Sequence, residues 1–301
     1  MFRFVITVLF IAIQSPFFIT VLFYNFIVFP SWNRFMKRNR ALFATLSISM
    51  WIPWLGLRVA IQPSLQLPEP SRRCRIMFLC THQSFSDALV LALVFWLLRH
   101  QLGPGVALYK KELGKAPVLA QLQRYSGNIP VARSGDVEAA KKSLCEAAQR
   151  SREGYHVSGF PEGSRRRTVS TGKRDQVSSL KKGFFHMVSE QDSFATTLIY
   201  PVVFVGSMRS WPMGRFVPVD GSEVTVRIGK PVEVGPSDHA MSVDELRDQF
   251  QTRLGDEVER SYEEKSNLSK VEISFLRVLG FEMICSCVPV IGSIAAFYYS
   301  L

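Results

Sequence analysis

The sequence lacks cysteine-based sites. It has five cysteines, an odd number, and no CxxC pair or Cys/His zinc-ligand spacing occurs among them. A disulfide framework needs paired cysteines, and a structural zinc site needs closely spaced thiols or imidazoles. We therefore expect isolated, reduced thiols and no metal centre.

Several common catalytic signatures are also missing. The chain has no G-x-S-x-G nucleophile elbow, so a covalent serine mechanism lacks support. It has neither a Walker A loop nor a G-x-G-x-x-G turn, so nucleotide-dependent chemistry lacks support as well. Internal repeats and low-complexity segments are absent too.

Acidic residues are fewer than basic ones, and the formal net charge is +11. A basic surface attracts nucleic acid, anionic lipid or a phosphorylated substrate, and charge alone does not choose among them. A nucleic-acid-binding protein would interleave aromatic and basic residues on a soluble surface. Here the apolar residues collect at the two ends of the chain. We therefore expect membrane lipids, and no nucleic acid, as partners.

The N-terminal segment at residues 4–30 is almost continuously apolar. It exceeds the ~20 residues that cross a bilayer core, and it lacks the short core and cleavage site of a signal peptide. This predicts a retained membrane anchor. Arg34, Lys37, Arg38 and Arg40 follow it directly, and we expect this cluster and the catalytic domain on the cytoplasmic side. The expected membrane is the endoplasmic reticulum in a eukaryote and the inner membrane in a bacterium.

Two further apolar segments lie at residues 41–61 and 283–301. The first, which Pro53 would kink, could span, re-enter or lie in the interface, or form a buried core helix. The second is one span long, with a packed terminal element as the alternative. We therefore expect an N-terminal anchor at 1–62, a linker at 63–71, a catalytic domain at 72–264 and a membrane-associated segment at 265–301.

Strand-like and helix-like segments alternate through the middle of the chain, which predicts a layered α/β domain. We expect Ser134 to cap one helix, Gly154 to end it, and Ser242 with Glu245 to form a capping box on another. The expected strands are 75–80, 155–160, 197–205 and 223–228, and the expected helices are 87–99, 136–152, 180–190 and 242–264.

His82 and Asp87 follow a predicted strand and open a predicted helix. Ligands of α/β sheets bind beyond the carboxyl ends of strands. With His82 in the turn and Asp87 in the first helical turn, the carboxylate can hold the imidazole in one tautomer. The alternative is that Asp87 only caps the helix and His82 is a structural loop residue.

Three more segments carry chemistry or shape at strand ends. Residues 127–133, GNIPVAR, deliver Arg133, whose planar fork suits phosphate. Residues 160–165, FPEGSR, form a turn followed by arginines, which suits an anion. Residues 199–203, IYPVV, form an apolar strand with an internal proline. Each segment taken alone also fits a solvated basic loop or an ordinary strand.

Together and in this order, these four segments resemble the glycerolipid acyltransferase family, which includes the 1-acylglycerol-3-phosphate acyltransferases. The family pattern is H-x4-D, G-x-I-x-x-x-R, F-P-E-G-T/S-R and a proline-containing apolar strand. The resemblance covers roughly residues 72–231 and extends to the segments at 110–113, 180–183 and 228–231. Two positions depart from the pattern: Ala132 stands where an aspartate is usual, and Ser164 stands where a threonine is common.

The resemblance implies a central mixed sheet and an O-acyltransferase without a cofactor or metal. In that mechanism His82 is the general base, Asp87 orients it, and the acceptor oxygen attacks an acyl-CoA or acyl carrier protein thioester directly. Arg133 and Arg165 would hold the acceptor phosphate. The other implied substrate-binding residues are Glu162, Gly163 and Ser164, which shape that site, and Lys181 and Lys182.

The implied acceptor is a lysophospholipid, 1-acylglycerol 3-phosphate, and the implied product is phosphatidic acid. The sequence leaves two alternatives open. One is a different acceptor, either another lysophospholipid or glycerol 3-phosphate. The other is a non-catalytic lipid-binding protein of the same fold, against which the intact His82 and Asp87 argue.

Overall fold

The computed structural model describes residues 58–61, 74–115, 123, 126–132, 136–163, 176–189, 196–212, 219, 222–235 and 241–264. The apolar segment at residues 4–30, the basic cluster after it, the linker at 63–71 and the C-terminal segment at 265–301 lie outside these ranges. So do Arg133, Ser164 and Arg165. Within the described ranges, no helix is both long and apolar enough to cross a bilayer.

The described elements alternate between strands and helices. The strands are β1 (Arg58–Ile61), β2 (Arg75–Cys80), β3 (Gly105–Lys110), β4 (Ile129–Val131), β5 (His156–Gly159), β6 (Thr197–Val205), β7 (Glu223–Ile228) and β8 (Val232–Val234). The helices are α1 (Ser86–Leu97), α2 (Arg99–Leu102), α3 (Val137–Arg152), α4 (Gly183–Ser189), α5 (Ser207–Ser210) and α6 (Val243–Glu263), with a 3-10 helix at Lys111–Lys115.

These strands form one mixed sheet in the order β1-β7-β6-β2-β5-β3-β4, and β8 also pairs with β6. The neighbours from β6 to β4 are parallel, as are β1 and β7. β7 and β8 run antiparallel to β6, along its second and first halves. The carboxyl ends of β2, β5, β3 and β4 therefore share one edge of the sheet, where α/β proteins place their ligands.

Both faces of the sheet are covered, which explains the continuously apolar central strands. Successive side chains of a strand point to opposite faces. Phe78 of β2 accordingly packs with α1 on one face, and Met77 packs with α3, α4 and α6 on the other. The domain therefore has three layers, with helices on both sides of the sheet.

Most predicted elements are confirmed. β6 and β7 have the predicted bounds, and β2 does as well. The capping box is present: Ser242 Oγ accepts from the Glu245 N–H at 3.2 Å, and the Glu245 carboxylate accepts from the Ser242 N–H at 2.7 Å. Gly154 follows the end of α3 with a φ of 85°, the left-handed conformation that favours glycine there.

The structure differs from expectation at the start of α3. The N-cap is Asp136, not Ser134, and its Oδ1 accepts from the Ala139 N–H at 3.0 Å. The helix begins at Val137, so Asp136 is the residue whose side chain reaches the free N–H three positions later. Ser134 lies too early in the chain to do so.

A second difference concerns the apolar segment at 41–61. Its last residues form β1, an edge strand parallel to β7, rather than part of a membrane or core helix. A short apolar run does not by itself distinguish a buried strand from a helix. The sheet therefore begins before residue 72, the expected start of the catalytic domain. β3 and β8 were not expected from the sequence.

Candidate active site

The segment after β2 brings His82 and Asp87 together. Thr81 fixes the exit of the strand, because its N–H donates to the Val202 carbonyl at 3.0 Å and its Oγ1 accepts from the Phe204 N–H at 3.1 Å. His82 follows in the loop, and Asp87 lies in the first turn of α1. His82 Nδ1 lies 3.3 Å from Asp87 Oδ2, as the sequence reading anticipated.

Asp87 is fully buried and firmly held. Its Oδ2 accepts from the N–H of Gln83 at 2.6 Å and from the N–H of Ser84 at 2.7 Å. The loop between the two residues thus wraps around the carboxylate. Asp87 organises the backbone of this loop and contacts the imidazole with the same oxygen, so its structural and orienting roles coincide.

The contact with Asp87 assigns the proton on the imidazole. A carboxylate accepts hydrogen bonds, so Nδ1 carries the hydrogen and Nε2 keeps its lone pair. Nε2 has no hydrogen-bond partner in the part of the chain that the structure describes. The His82 side chain is 16% exposed, enough for a ligand to reach it. An imidazole in this arrangement can act as a general base.

The turn after β5 holds His82 from another direction. The Phe160 ring lies against the imidazole, with centroids 4.4 Å apart and planes inclined by 32°. The His82 backbone N–H donates to Glu162 Oε1 at 2.7 Å. The turn is closed by the Gly163 N–H, which donates to the Phe160 carbonyl at 3.0 Å. The first and third motifs are therefore one unit in space.

Glu162 is buried and points into the protein. Its Oε2 accepts from the Ser178 N–H at 2.9 Å, so both oxygens bond to backbone. Burial raises the pKa of the Glu162 carboxyl, and the two N–H groups oppose that rise. The family resemblance predicts that Glu162 shapes the acceptor site. Among the described residues, however, Glu162 contacts the His82 loop and the segment at 176–180.

The structure separates the two neighbouring lysines. Lys182 Nζ donates to Asp244 Oδ2 of α6 at 2.8 Å. Lys181 lies instead over the turn after β5: its Cε is 2.8 Å from the position that a Cβ on Gly163 would take. Its backbone N–H donates to the Pro161 carbonyl at 2.9 Å. Of these two lysines, Lys181 is the one that brings a positive charge beside the third motif.

Buried hydroxyl groups support the His82–Asp87 loop from α5, a feature that the sequence does not predict. Ser86 Oγ donates to Ser84 Oγ at 2.9 Å and lies 2.8 Å from Ser210 Oγ. Ser84 Oγ donates to the Trp211 carbonyl at 3.0 Å. Serines are common on surfaces, and only the fold reveals that these form a connected chain.

Arg133, Ser164 and Arg165 lie outside the described residues. The described residues just before them, Ala132 after β4 and Gly163 after β5, lie at the same edge of the sheet as His82. Within the described ranges, no three His, Cys, Asp or Glu residues are grouped so as to hold a metal ion.

Comparison with known proteins supports the family resemblance. Residues 63–205 match the Acyltransferase family model. This segment of the chain is therefore similar to the acyltransferases, in agreement with the resemblance to the glycerolipid acyltransferase family. The match contains the His82, Glu162 and β6 segments, and it starts close to β1. The resemblance stated from the motifs is thereby confirmed.

The fold agrees with this family. The crystal structure of the 1-acyl-sn-glycerophosphate (LPA) acyltransferase PlsC from Thermotoga maritima matches with a TM-score of 0.59 and 24% sequence identity. The match covers 85% of this chain and 93% of that one. The predicted α/β fold with a mixed central sheet is therefore confirmed. No curated protein sequence matches the chain.

Proposed function

We propose that this acyltransferase transfers a fatty acyl chain from an acyl-CoA or acyl carrier protein thioester to a lysophospholipid hydroxyl, with 1-acylglycerol 3-phosphate as the acceptor and phosphatidic acid as the product. The observation that carries the proposal is the His82–Asp87 pair, at 3.3 Å, at the carboxyl edge of the sheet. The structural match to PlsC, an LPA acyltransferase, supports the choice of acceptor.

The chemistry follows from the free Nε2 of His82. Nε2 removes the proton of the acceptor hydroxyl while the hydroxyl oxygen forms a bond to the thioester carbonyl carbon. The tetrahedral intermediate then collapses with cleavage of the C–S bond, and the thiol leaves with the proton from the imidazolium. Asp87 stabilises the imidazolium in between. General base catalysis of this kind contributes about 10²–10⁴-fold.

The acceptor phosphate needs a positive site near His82. We propose that Arg133 and Arg165 hold it, with Gly163 and Ser164 shaping the turn and Lys181 adding charge. The described parts of β4 and β5 end at the same sheet edge as β2, which supports this grouping. We propose an integral membrane protein, because residues 4–30 are apolar and the acceptor and product are membrane lipids. The basic cluster after that segment supports a catalytic domain on the cytoplasmic side.

The test is an acyl-transfer assay of the purified full chain with oleoyl-CoA and a panel of acceptors. The panel contains 1-oleoylglycerol 3-phosphate, lysophospholipids with larger head groups, and glycerol 3-phosphate. We expect phosphatidic acid from the first acceptor and none from the His82→Ala protein. Preferred transfer to another acceptor would change the proposed substrate. Lipid binding without transfer to any acceptor would instead indicate a non-catalytic protein.

A further inference from the structure

Glu162 is a buried carboxylate whose contacts join two loops. It is 4% exposed. Oε1 accepts from the backbone N–H of His82, which is 80 residues away in sequence, at 2.7 Å. Oε2 accepts from the backbone N–H of Ser178 at 2.9 Å. Both oxygens are therefore turned toward the protein backbone.

A buried charge is costly, so its partners indicate what it does. Burial raises the pKa of the Glu162 carboxyl, and Asp87 adds to that rise. The N–H groups of His82 and Ser178 act in the opposite direction, since they stabilise the ionised form. The charge is thus matched to two specific donors, one of which belongs to the catalytic histidine.

His82 is held at three points as a result. Asp87 contacts Nδ1, and Phe160 lies against the ring. Glu162 holds the backbone N–H of the same residue. Phe160 and Glu162 belong to one turn, so this turn restrains both the side chain and the main chain of His82. The other ring nitrogen, Nε2, is the one that reaches substrate in the proposed reaction.

We propose that Glu162 is a positioning residue for acyl transfer: its carboxylate holds the His82 backbone and thereby aims Nε2 at the acceptor hydroxyl. This inference rests on the proposed function. It assigns Glu162 a role in kcat, whereas a residue that bound the acceptor phosphate would act on acceptor KM. The link to Ser178 also couples His82 to the segment that carries Lys181.

Glu162→Gln tests the role with little change in size. The amide oxygen can accept from one N–H, and the amide nitrogen then faces the other donor and cannot accept from it. A displacement of about 1 Å at a catalytic group can cost about 10²-fold in rate. We therefore expect kcat to fall about 10- to 100-fold, with KM for 1-oleoylglycerol 3-phosphate and for oleoyl-CoA within about twofold of the wild type.

The matched control is Glu257→Gln. Glu257 is also a buried carboxylate, 1% exposed, and it pairs with Arg227 on the far strand β7. This variant reports the general effect of neutralising a buried glutamate, and we expect it to lower the Tm without lowering kcat. If Glu162→Gln does not fold, Glu162→Asp, which keeps the charge but cannot span both donors, is measured in the same way.

The outcomes separate the two proposals. An acceptor KM raised about tenfold or more at unchanged kcat would make Glu162 a substrate contact and overturn the positioning role. An unchanged kcat in a folded Glu162 variant would overturn it too, while leaving the proposed function intact. Absence of transfer by the wild-type protein to every acceptor would overturn the proposed function, and the positioning role with it.

Discussion

Lys182 Nζ and Asp244 Oδ2 are 2.8 Å apart, across a contact between the N-terminal ends of α4 and α6. The two side chains are about half exposed. Lys182 thereby lowers the pKa of Asp244, because the ammonium stabilises the ionised carboxyl. Its neighbour Lys181 points to the Gly163 turn and has no ion-pair partner within the described residues. Adjacent lysines of one motif thus have different surroundings.

Lys181→Ala and Lys182→Ala should therefore behave differently. We expect Lys181→Ala to lower kcat/KM for the phosphorylated acceptor several-fold, because it removes a positive charge beside the proposed phosphate site. Lys182→Ala is its matched control and should leave both kcat/KM and the Tm close to wild type, since exposed ion pairs contribute little. Steady-state kinetics and thermal unfolding of the two variants check this. Equal losses of kcat/KM would contradict the distinction.

Arg133→Ala and Arg165→Ala should weaken use of the acceptor more than use of the donor. A charge-assisted bond to phosphate contributes about 1.5–3 kcal/mol, so each loss should lower acceptor kcat/KM about ten- to a hundredfold. Replacement of either arginine by lysine should retain only part of the acceptor kcat/KM, because lysine lacks the planar guanidinium fork. Kinetics with acceptor and donor varied in turn provide the measurement.

The control for the arginines is Arg150→Ala on α3. Arg150 pairs with Glu153 on the surface of that helix, and its removal should leave acceptor kcat/KM near the wild-type value. If only the donor KM changed in one of these variants, that arginine would contact the acyl thioester donor and not the acceptor phosphate.

Asp87→Asn should lower kcat by about 10²–10⁴-fold. The amide can keep part of the hydrogen bonding to the loop, but it no longer stabilises the imidazolium. Asp136→Asn is a suitable control, since asparagine caps a helix about as well as aspartate and Asp136 lies at the start of α3. Near-wild-type turnover of folded Asp87→Asn protein would remove Asp87 from the mechanism.

Membrane attachment should survive a high-salt wash and yield only to detergent. The reason is the apolar segment at residues 4–30. Salt screens the attraction between basic residues and anionic lipid, but it does not weaken burial of an apolar segment. Immunoblots of washed membranes supply the measurement. Release by salt alone would show that the attachment is electrostatic.

His156 should make the fold sensitive to mild acid. Its ring lies 4.6 Å from that of Phe95 and 5.6 Å from that of Phe78, between centroids. Burial lowers the pKa to about 4, against a smaller opposing effect of the Leu102 backbone. As pH falls below about 6.5, the ordinary pKa of histidine, His156 becomes protonated in the unfolded chain. In the folded chain it stays neutral down to about pH 4.

The free energy of unfolding should therefore decrease by about 3 kcal/mol from this group as pH falls from about 6.5 to about 4. Urea unfolding in non-ionic detergent at several pH values measures the slope. His156→Leu should flatten it in this window, whereas replacement of the exposed His186 should not. An equal slope in the wild-type and His156→Leu proteins would refute the prediction.

Local patterns predicted much of the fold. The bounds of β2, β6 and β7 follow from apolar runs, and the start of α6 follows from the Ser242–Glu245 capping box. β1 was not predicted, because three apolar residues after Arg58, beside a longer apolar segment, carry no period of their own. β3 and β8 were not predicted, because strand formation depends on pairing with neighbours that are distant in sequence.

The sequence by itself determined the family resemblance, the α/β class and the proximity of His82 to Asp87, because these rest on motifs and on residues close together in the chain. Only the tertiary structure decided that Glu162 faces the His82 backbone, 80 residues away, and that Lys182 faces Asp244, 62 residues away. The direction of a side chain at a strand end depends on which loops converge there. That convergence is set by the order of strands in the sheet, which no local pattern encodes.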